Sequence, residues 1–309
     1  MQEFRSFVAT GDSFTEGVGD PRSDGSSCRG WADRFAEHLA ASTPGFRYAN
    51  LAIRGRLLGE VLDEQIPAAI RLRPDLVSVA AGGNDLLRPS TDPDDVAATY
   101  ENAVATLTAA GATVLVFTGF DPKTFPVLRL IRGKSAILTV AVRDIAQRYG
   151  CLVADVWAMR ILADRRLWTP DRLHLTPEGH RRVALLACEA VGAPVSDDWR
   201  APLATAPAPT GPMGAAATWL TARRSDAIWV TEHVAPYLSR RLHGVSSGDG
   251  VLPKRPLLAP VLPVPAVQPA PGPAVPAASA GPPGSPGPPG LGVRSAAVPL
   301  AGASTKTST

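Results

Sequence analysis

The chain has little of what secreted or membrane-embedded proteins rely on. Its three cysteines, Cys28, Cys151 and Cys188, are widely spaced and form no CxxC pair. That argues against a disulfide framework and fits buried or free thiols in a reducing compartment. No basic start followed by an apolar stretch marks a leader, and no run of about 18 apolar residues offers a membrane span. The expected location is the cytoplasm. Charge is nearly missing from the C-terminal end, where Arg294 and Lys306 are the only charged residues from 256 to 309. There "PVLPVPAVQPAPGPAVPAASAGPPGSPGPPG" has no aromatics and too many prolines for a hydrogen-bonded ladder, so a disordered tail with polyproline II character is expected. Its G-P-P-G run is too short and irregular for a collagen repeat.

Charge of either sign is also absent as a net quantity from the first 195 residues, which carry 22 basic and 23 acidic side chains. The formal charge of +3 therefore comes from the remainder, and no nucleic-acid-binding core is expected. Two signatures are missing as well. No GxSxG occurs within residues 1–195 (the chain's GxSxG is "GVSSG" at 244–248), which argues against an α/β-hydrolase nucleophile elbow there. The "GVGD" at 17–20 lacks the third glycine of a dinucleotide fingerprint. No cofactor is expected.

What is present is a regular alternation. Apolar runs at 6–10, 46–52, 75–81, 113–119 and 151–156 read as strands. Helical patterns fill 30–41, 58–72, 93–110, 134–149 and 177–191 between and after them. Strict alternation predicts an α/β fold: a five-stranded parallel sheet with helices on both faces, a three-layer αβα sandwich. "DLVSVAA" and "TVLVFTG" are nearly continuous apolar runs, as suits central strands buried on both sides. Ligands of such sheets bind beyond the carboxyl ends of the strands. The loops there read "GDSFTEG", "NLAIRGR", "AGGNDLL" and, beyond "WTP", "DRLHLTPEGH".

Those loops hold a set of groups suited to acyl transfer. Ser13 alone would read as a turn serine, but a serine hydroxyl with a neighbouring base is a nucleophile. His174 lies three residues after Asp171, so one tight turn can set the carboxylate against the imidazole. Thr176 as N-cap and Pro177 at the first helical position would pin that turn to a helix. Three donors are available for an oxyanion: the N–H of Ser13, the N–H of Gly55 and the side-chain amide of Asn84. Asp12 and Asp85 read as supports that orient these loops. His180, six residues after His174, reads as a solvated histidine on a basic helix face, so no metal site is expected.

Gly11, Asp12 and Ser13, then Gly55 after Asn50, then Gly82, Asn84 and Asp85, then Asp171 and His174 resemble, in order, the sequence blocks of the SGNH hydrolases of the GDSL esterase/lipase group. The resemblance covers roughly residues 4 to 193. One departure from the common pattern is Phe14 and Thr15 after the serine. It implies a flavodoxin-like SGNH fold and a serine esterase with catalytic Ser13, His174 and Asp171, an oxyanion hole of Ser13, Gly55 and Asn84, and a small-molecule ester as substrate. Alternatives are an O-deacetylase of a carbohydrate or natural product and a non-catalytic binding module on the same fold. The expected organisation is a hydrolase domain at 1–195, an extension with an amphipathic helix at 196–255, and the tail at 256–309. In the extension, residues 215–243 carry apolar residues at helical spacing and four arginines. Such a helix either docks on the hydrolase domain or meets a partner or an anionic membrane surface.

Overall fold

The computed structural model describes residues 3–125, 127–204 and 246–261. The chain divides into two units, Met1–Pro265 and Ala266–Thr309, and all described residues belong to the first. Five strands run parallel: β1 (Ser6–Gly11), β2 (Arg47–Asn50), β3 (Leu76–Ala80), β4 (Thr113–Phe117) and β5 (Leu152–Ala154). Their helices are α1 (Ser13–Glu16), α2 (Gly30–Ser42), α3 (Leu58–Glu60), α4 (Ile66–Leu72), α5 (Gly83–Leu86), α6 (Pro93–Ala109), α7 (Arg132–Tyr149) and α8 (Pro177–Ala190). A π-helical turn at Val61–Gln65 joins α3 to α4. Short 3-10 turns occupy much of the span between β4 and α7 and between β5 and α8.

Side chains alternate between the two faces of each strand and so fill two cores. Phe7, Leu76, Leu115 and Phe117 point to one face, where Trp31 and Phe35 of α2 and Val183 and Ala187 of α8 cover them. Val8, Val77, Val79, Val114 and Val116 point to the other, against Tyr100, Val104 and Leu107 of α6 and Val142 and Ile145 of α7. Near-continuous apolar strands buried on both sides are thus what the sandwich requires.

Among the described residues the sheet has six strands rather than the expected five, in the order β5-β4-β3-β1-β2-β6. The sixth, β6 (Arg255–Pro260), pairs antiparallel with β2: Arg47 faces Pro260, Tyr48 faces Ala259, and Asn50 faces Arg255. Residues 256–260 therefore belong to the sheet and not to the tail into which composition placed them. Pro256 and Pro260 disguised the strand, because proline cannot donate to a ladder, yet an edge strand tolerates it where its nitrogen faces outward. The amphipathic segment 215–243 and the tail beyond 261 lie outside the described residues.

Charged groups fasten β6 to the molecule. Lys254, just before the strand, keeps 11% of its side chain exposed; its ammonium lies 2.9 Å from Asp33 Oδ1 and donates to the carbonyls of Cys28 and Arg29 at 2.8 Å each. Asp33 also accepts from Tyr48 Oη at 2.9 Å. Arg255 donates to Tyr48 O at 2.9 Å and stands over the tyrosine ring. Removing one partner of a largely buried pair strands the other in low dielectric. Lys254→Ala should therefore lower the unfolding free energy by about 3 kcal/mol, read from the urea midpoint. A loss within error of zero would mean that the segment is not held through this lysine.

Candidate active site

β1 ends where the candidate site begins. Asp12 caps α1, its Oδ1 accepting the N–H of Phe14 at 3.0 Å, so Ser13 is the first residue of the helix. The turn from strand to helix is tight because Gly11 adopts a φ of +148° and lies against β3. A Cβ there would stand 2.2 Å from the carbonyl oxygen of Ala80. Only glycine permits that approach.

The loop after β2 is stitched to α1. Asn50 is fully buried; its Nδ2 donates to Thr15 O at 2.9 Å and Tyr48 Oη at 2.8 Å, and its Oδ1 accepts the N–H of Ala52 at 3.0 Å. Arg54 pairs with Glu16, whose carboxylate also accepts the Arg54 N–H at 2.7 Å. Gly55 follows with φ +74°. After β3, Asn84 sits in α5 and its Nδ2 donates to Asp12 Oδ2 at 3.2 Å and to Arg56 O at 3.0 Å. The three loops thus meet through Asp12 and Asn84. Asp85 stands behind them, where its Oδ2 accepts the N–H of Leu58 at 3.0 Å and starts α3.

Asp171 and His174 lie in a turn closed by the Trp168–Leu175 bridge, with Arg172 in the left-handed region at φ +57°. Asp171 Oδ1 accepts the N–H groups of Leu173 at 2.9 Å and His174 at 3.0 Å, and the Thr169 hydroxyl at 2.5 Å. Its Oδ2 lies 2.6 Å from His174 Nδ1. Thr176 caps α8, and Pro177 occupies its first turn, as the sequence suggested. Burial pushes the Asp171 carboxyl up, but the hydrogen bonds from His174, Thr169 and Leu173 and the imidazole's charge outweigh it and hold it well below the usual aspartate range. An ionised Asp171 requires the proton on His174 Nδ1, which leaves Nε2 with a lone pair.

Asp12, Ser13, Gly55, Asn84, Asp171 and His174 all line one cavity of about 480 Å³. Of the candidate catalytic, oxyanion-hole and supporting residues, Asp85 alone is not on its wall. Away from these groups the lining is mostly apolar, with Phe117, Phe120, Leu128, Ile131, Leu138 and Trp168 beside Thr118 and Ser135. Phe120 packs on Trp168 at 4.6 Å between centroids. Between β4 and α7 the lining is supplied by Gly119, Phe120, Pro122, Leu128 and Ile131. Sequence reasoning missed Ser246 and Ser247, which also line the cavity. The "SSGDG" turn just ahead of "RPLLAP" was the available signal. Among the described residues, no three His, Cys, Asp or Glu side chains gather as a metal-binding group.

His180 requires a correction. It is completely buried rather than solvated: Nδ1 accepts the N–H of Trp31 at 3.2 Å, and Nε2 lies 3.1 Å from Val18 O, to which it donates. Helical spacing placed it beside arginines, but the packing of α8 against α2 turns it inward. There it ties the chain just after α1 to the start of α2. Burial pushes its pKa from 6.5 down to about 4. Burial also pushes the Asp12 carboxyl up, from 3.8 to about 6, with the Phe14 N–H opposing.

The two shifts act on stability with opposite signs. For His180 the unfolded chain binds the proton more tightly, so its contribution is lost as pH falls from 6.5 toward 4. For Asp12 the folded chain binds the proton more tightly, so its contribution is full below 3.8 and lost as pH rises through about 6. Carboxyl and imidazole NMR titrations should show Asp12 with a midpoint near 6 and His180 near 4, while Asp171 stays ionised where ordinary aspartates protonate. An Asp12 midpoint in the ordinary range would mean that water reaches its carboxylate.

A model of the GDSL-like Lipase/Acylhydrolase family matches residues 9–182. A lipase of Streptomyces rimosus is 38% identical over 81 residues, which are 26% of this chain and 30% of that protein. The chain thus spans less than a third of that relative's length. Among solved structures, TesA superposes with a TM-score of 0.51 at 20% identity, over 60% of this chain and 97% of its own. An acetyl xylan esterase, AlAXEase, gives 0.51 at 22% identity, over 60% and 99%. At these identities the superpositions establish a shared fold. No helix among the described residues is long and apolar enough to cross a membrane.

Proposed function

The chain belongs to the GDSL-like Lipase/Acylhydrolase family, and we propose that it hydrolyses carboxylic esters with Ser13 as nucleophile. The observation that carries this reading is the 2.6 Å contact between Asp171 Oδ2 and His174 Nδ1 on the cavity that Ser13 also lines. Asp171 fixes the tautomer and orientation of the imidazole. His174 Nε2 then takes the Ser13 Oγ proton as the oxygen attacks the ester carbonyl. The tetrahedral intermediate collapses with return of that proton to the leaving alkoxide, and an acyl-enzyme remains. Water, deprotonated by the same nitrogen, releases the acid and restores Ser13.

The oxyanion would be held by the N–H groups of Ser13 and Gly55 and by Asn84 Nδ2. Asn84 donates to Asp12 at 3.2 Å and to Arg56 at 3.0 Å. The longer bond is the one a developing oxyanion would displace. Asp12 then acts as the placeholder that keeps the amide aimed at the cavity. The apolar wall of Phe117, Phe120, Leu128, Ile131 and Leu138 suits an alkyl or aromatic acyl group larger than acetyl.

Ser13→Ala should reduce hydrolysis of p-nitrophenyl esters by roughly 10³-fold or more without unfolding the chain. Asn84→Ala should lower kcat by ~10²–10³ with little change in KM. Near wild-type turnover by Ser13→Ala would dismiss the nucleophile. A phosphonate that labels Ser13 in the wild type separates an enzyme from a non-catalytic module on this fold. A panel from acetyl to palmitoyl esters tests the acyl preference. O-deacetylation of a carbohydrate or natural product, the alternative, would show as activity confined to acetyl esters.

A further inference from the structure

The family match ends at residue 182, but the cavity wall does not. After the segment outside the described residues, the chain returns at Ser246 and makes a tight turn. The Ser246 N–H donates to Asp249 Oδ2 at 2.8 Å, the Asp249 N–H to Ser246 O at 3.2 Å, and the Val251 N–H to Gly248 O at 3.0 Å. Topology explains where this turn must fall. β6 is antiparallel to β2 and its first residue, Arg255, lies opposite Asn50, the last residue of β2. Whatever precedes Arg255 is therefore delivered to the carboxyl end of β2, the edge from which the Gly55 loop leaves the sheet.

The contact made there is close. Ser246 Oγ donates to Gly55 O at 3.3 Å. A Cβ on Gly55 would stand 2.5 Å from Ser246 Oγ and 2.8 Å from Ser247 Oγ. A Cβ on Gly248 would stand 2.1 Å from Arg54 O. The two segments thus meet backbone to backbone, and the space beside Gly55 that glycine leaves open is filled by serine hydroxyls.

We propose that Ser246 is a positioning residue for the oxyanion hole: its hydroxyl holds the Gly55 loop in the conformation that aims the Gly55 N–H at the oxyanion. This inference rests on the ester-hydrolase reading of the site. Glycine has the widest backbone freedom of any residue and here stands at φ +74°, so the donor needs an external tether to be aimed before the substrate arrives. Preorganised donors stabilise a transition state because they need not reorient as charge develops. Glu16 supplies one tether, through the N–H of Arg54. Ser246 supplies another on the far side of Gly55. Lys254 and the β6 ladder keep the Ser246 turn in place, which gives the C-terminal segment a part in the reaction although it lies outside the family-matched span.

The test uses the full-length chain. Ser246→Ala should lower kcat about tenfold, the change expected from loss of one modest hydrogen bond, with KM within about twofold and the thermal midpoint unchanged. The rate of inactivation by a phosphonate, whose tetrahedral oxygen imitates the oxyanion, should fall by the same factor. Ser246→Thr keeps the hydroxyl and should retain most of the wild-type kcat. Wild-type kcat in Ser246→Ala would overturn the inference, as would a loss in both variants that follows the melting temperature. If Ser13→Ala is inactive while Ser246→Ala behaves as wild type, the positioning role falls and the esterase reading stands. A wild-type chain that neither turns over esters nor reacts with the phosphonate overturns both.

Discussion

The central strand sets the geometry of the site. β1 pairs in parallel with β2 on one side and β3 on the other, register by register, with Ala9 opposite both Asn50 and Ser78. Parallel pairing forces the three carboxyl ends onto one edge. Gly11 then lets the end of β1 close on the carbonyl of Ala80. Ser13, the Gly55 loop and Asn84 are consequently delivered to one edge by the backbone ladder, where the side chains of Asn50, Asp12 and Asn84 join them. Asp171 and His174 come from farther along the chain, and their turn is seated by the cap of α8.

On that frame, two carboxylates are pushed in opposite directions. Asp171 accepts from Thr169, Leu173, the His174 N–H and the imidazole, and is kept ionised. Asp12 is more deeply buried and, among the described residues, accepts from Phe14 and Asn84; burial pushes its carboxyl up to about 6. Divergent environments of this kind assign different tasks to the same side chain. A permanent charge backs the imidazole, while a group that can change charge near pH 6 holds the amide. His180, neutral in its buried slot between Val18 and Trp31, fixes the chain that leaves α1 and adds no charge to this balance.

At β6 the edge of the sheet is held by charge as well as by apolar packing. Leu257 is exposed, while Leu258 and the following Val261 pack against the two cores. Lys254 with Asp33, and Arg255 on Tyr48, add specific register. Ion pairs fix a geometry more reliably than they add net stability. Geometry is what a turn beside Gly55 needs.

The sequence alone determined the α/β alternation, because apolar runs on the period of a buried strand and amphipathic helical runs differ locally and unmistakably. It also determined which loops carry Ser13, Gly55, Asn84 and the Asp171–His174 turn, since glycine, capping residues and short spacings act over a few residues. Tertiary structure decided the rest. Helical spacing put His180 beside arginines, and only the packing of α8 on α2 shows that it faces inward. Composition put 256–260 in a tail, and only the free edge of β2 makes a strand of a proline-bearing segment more than 200 residues away. Ser246 reaches Gly55 across 191 residues. Local propensity carries no information over such a separation, because the contact exists only once the sheet has brought the two edges of chain together.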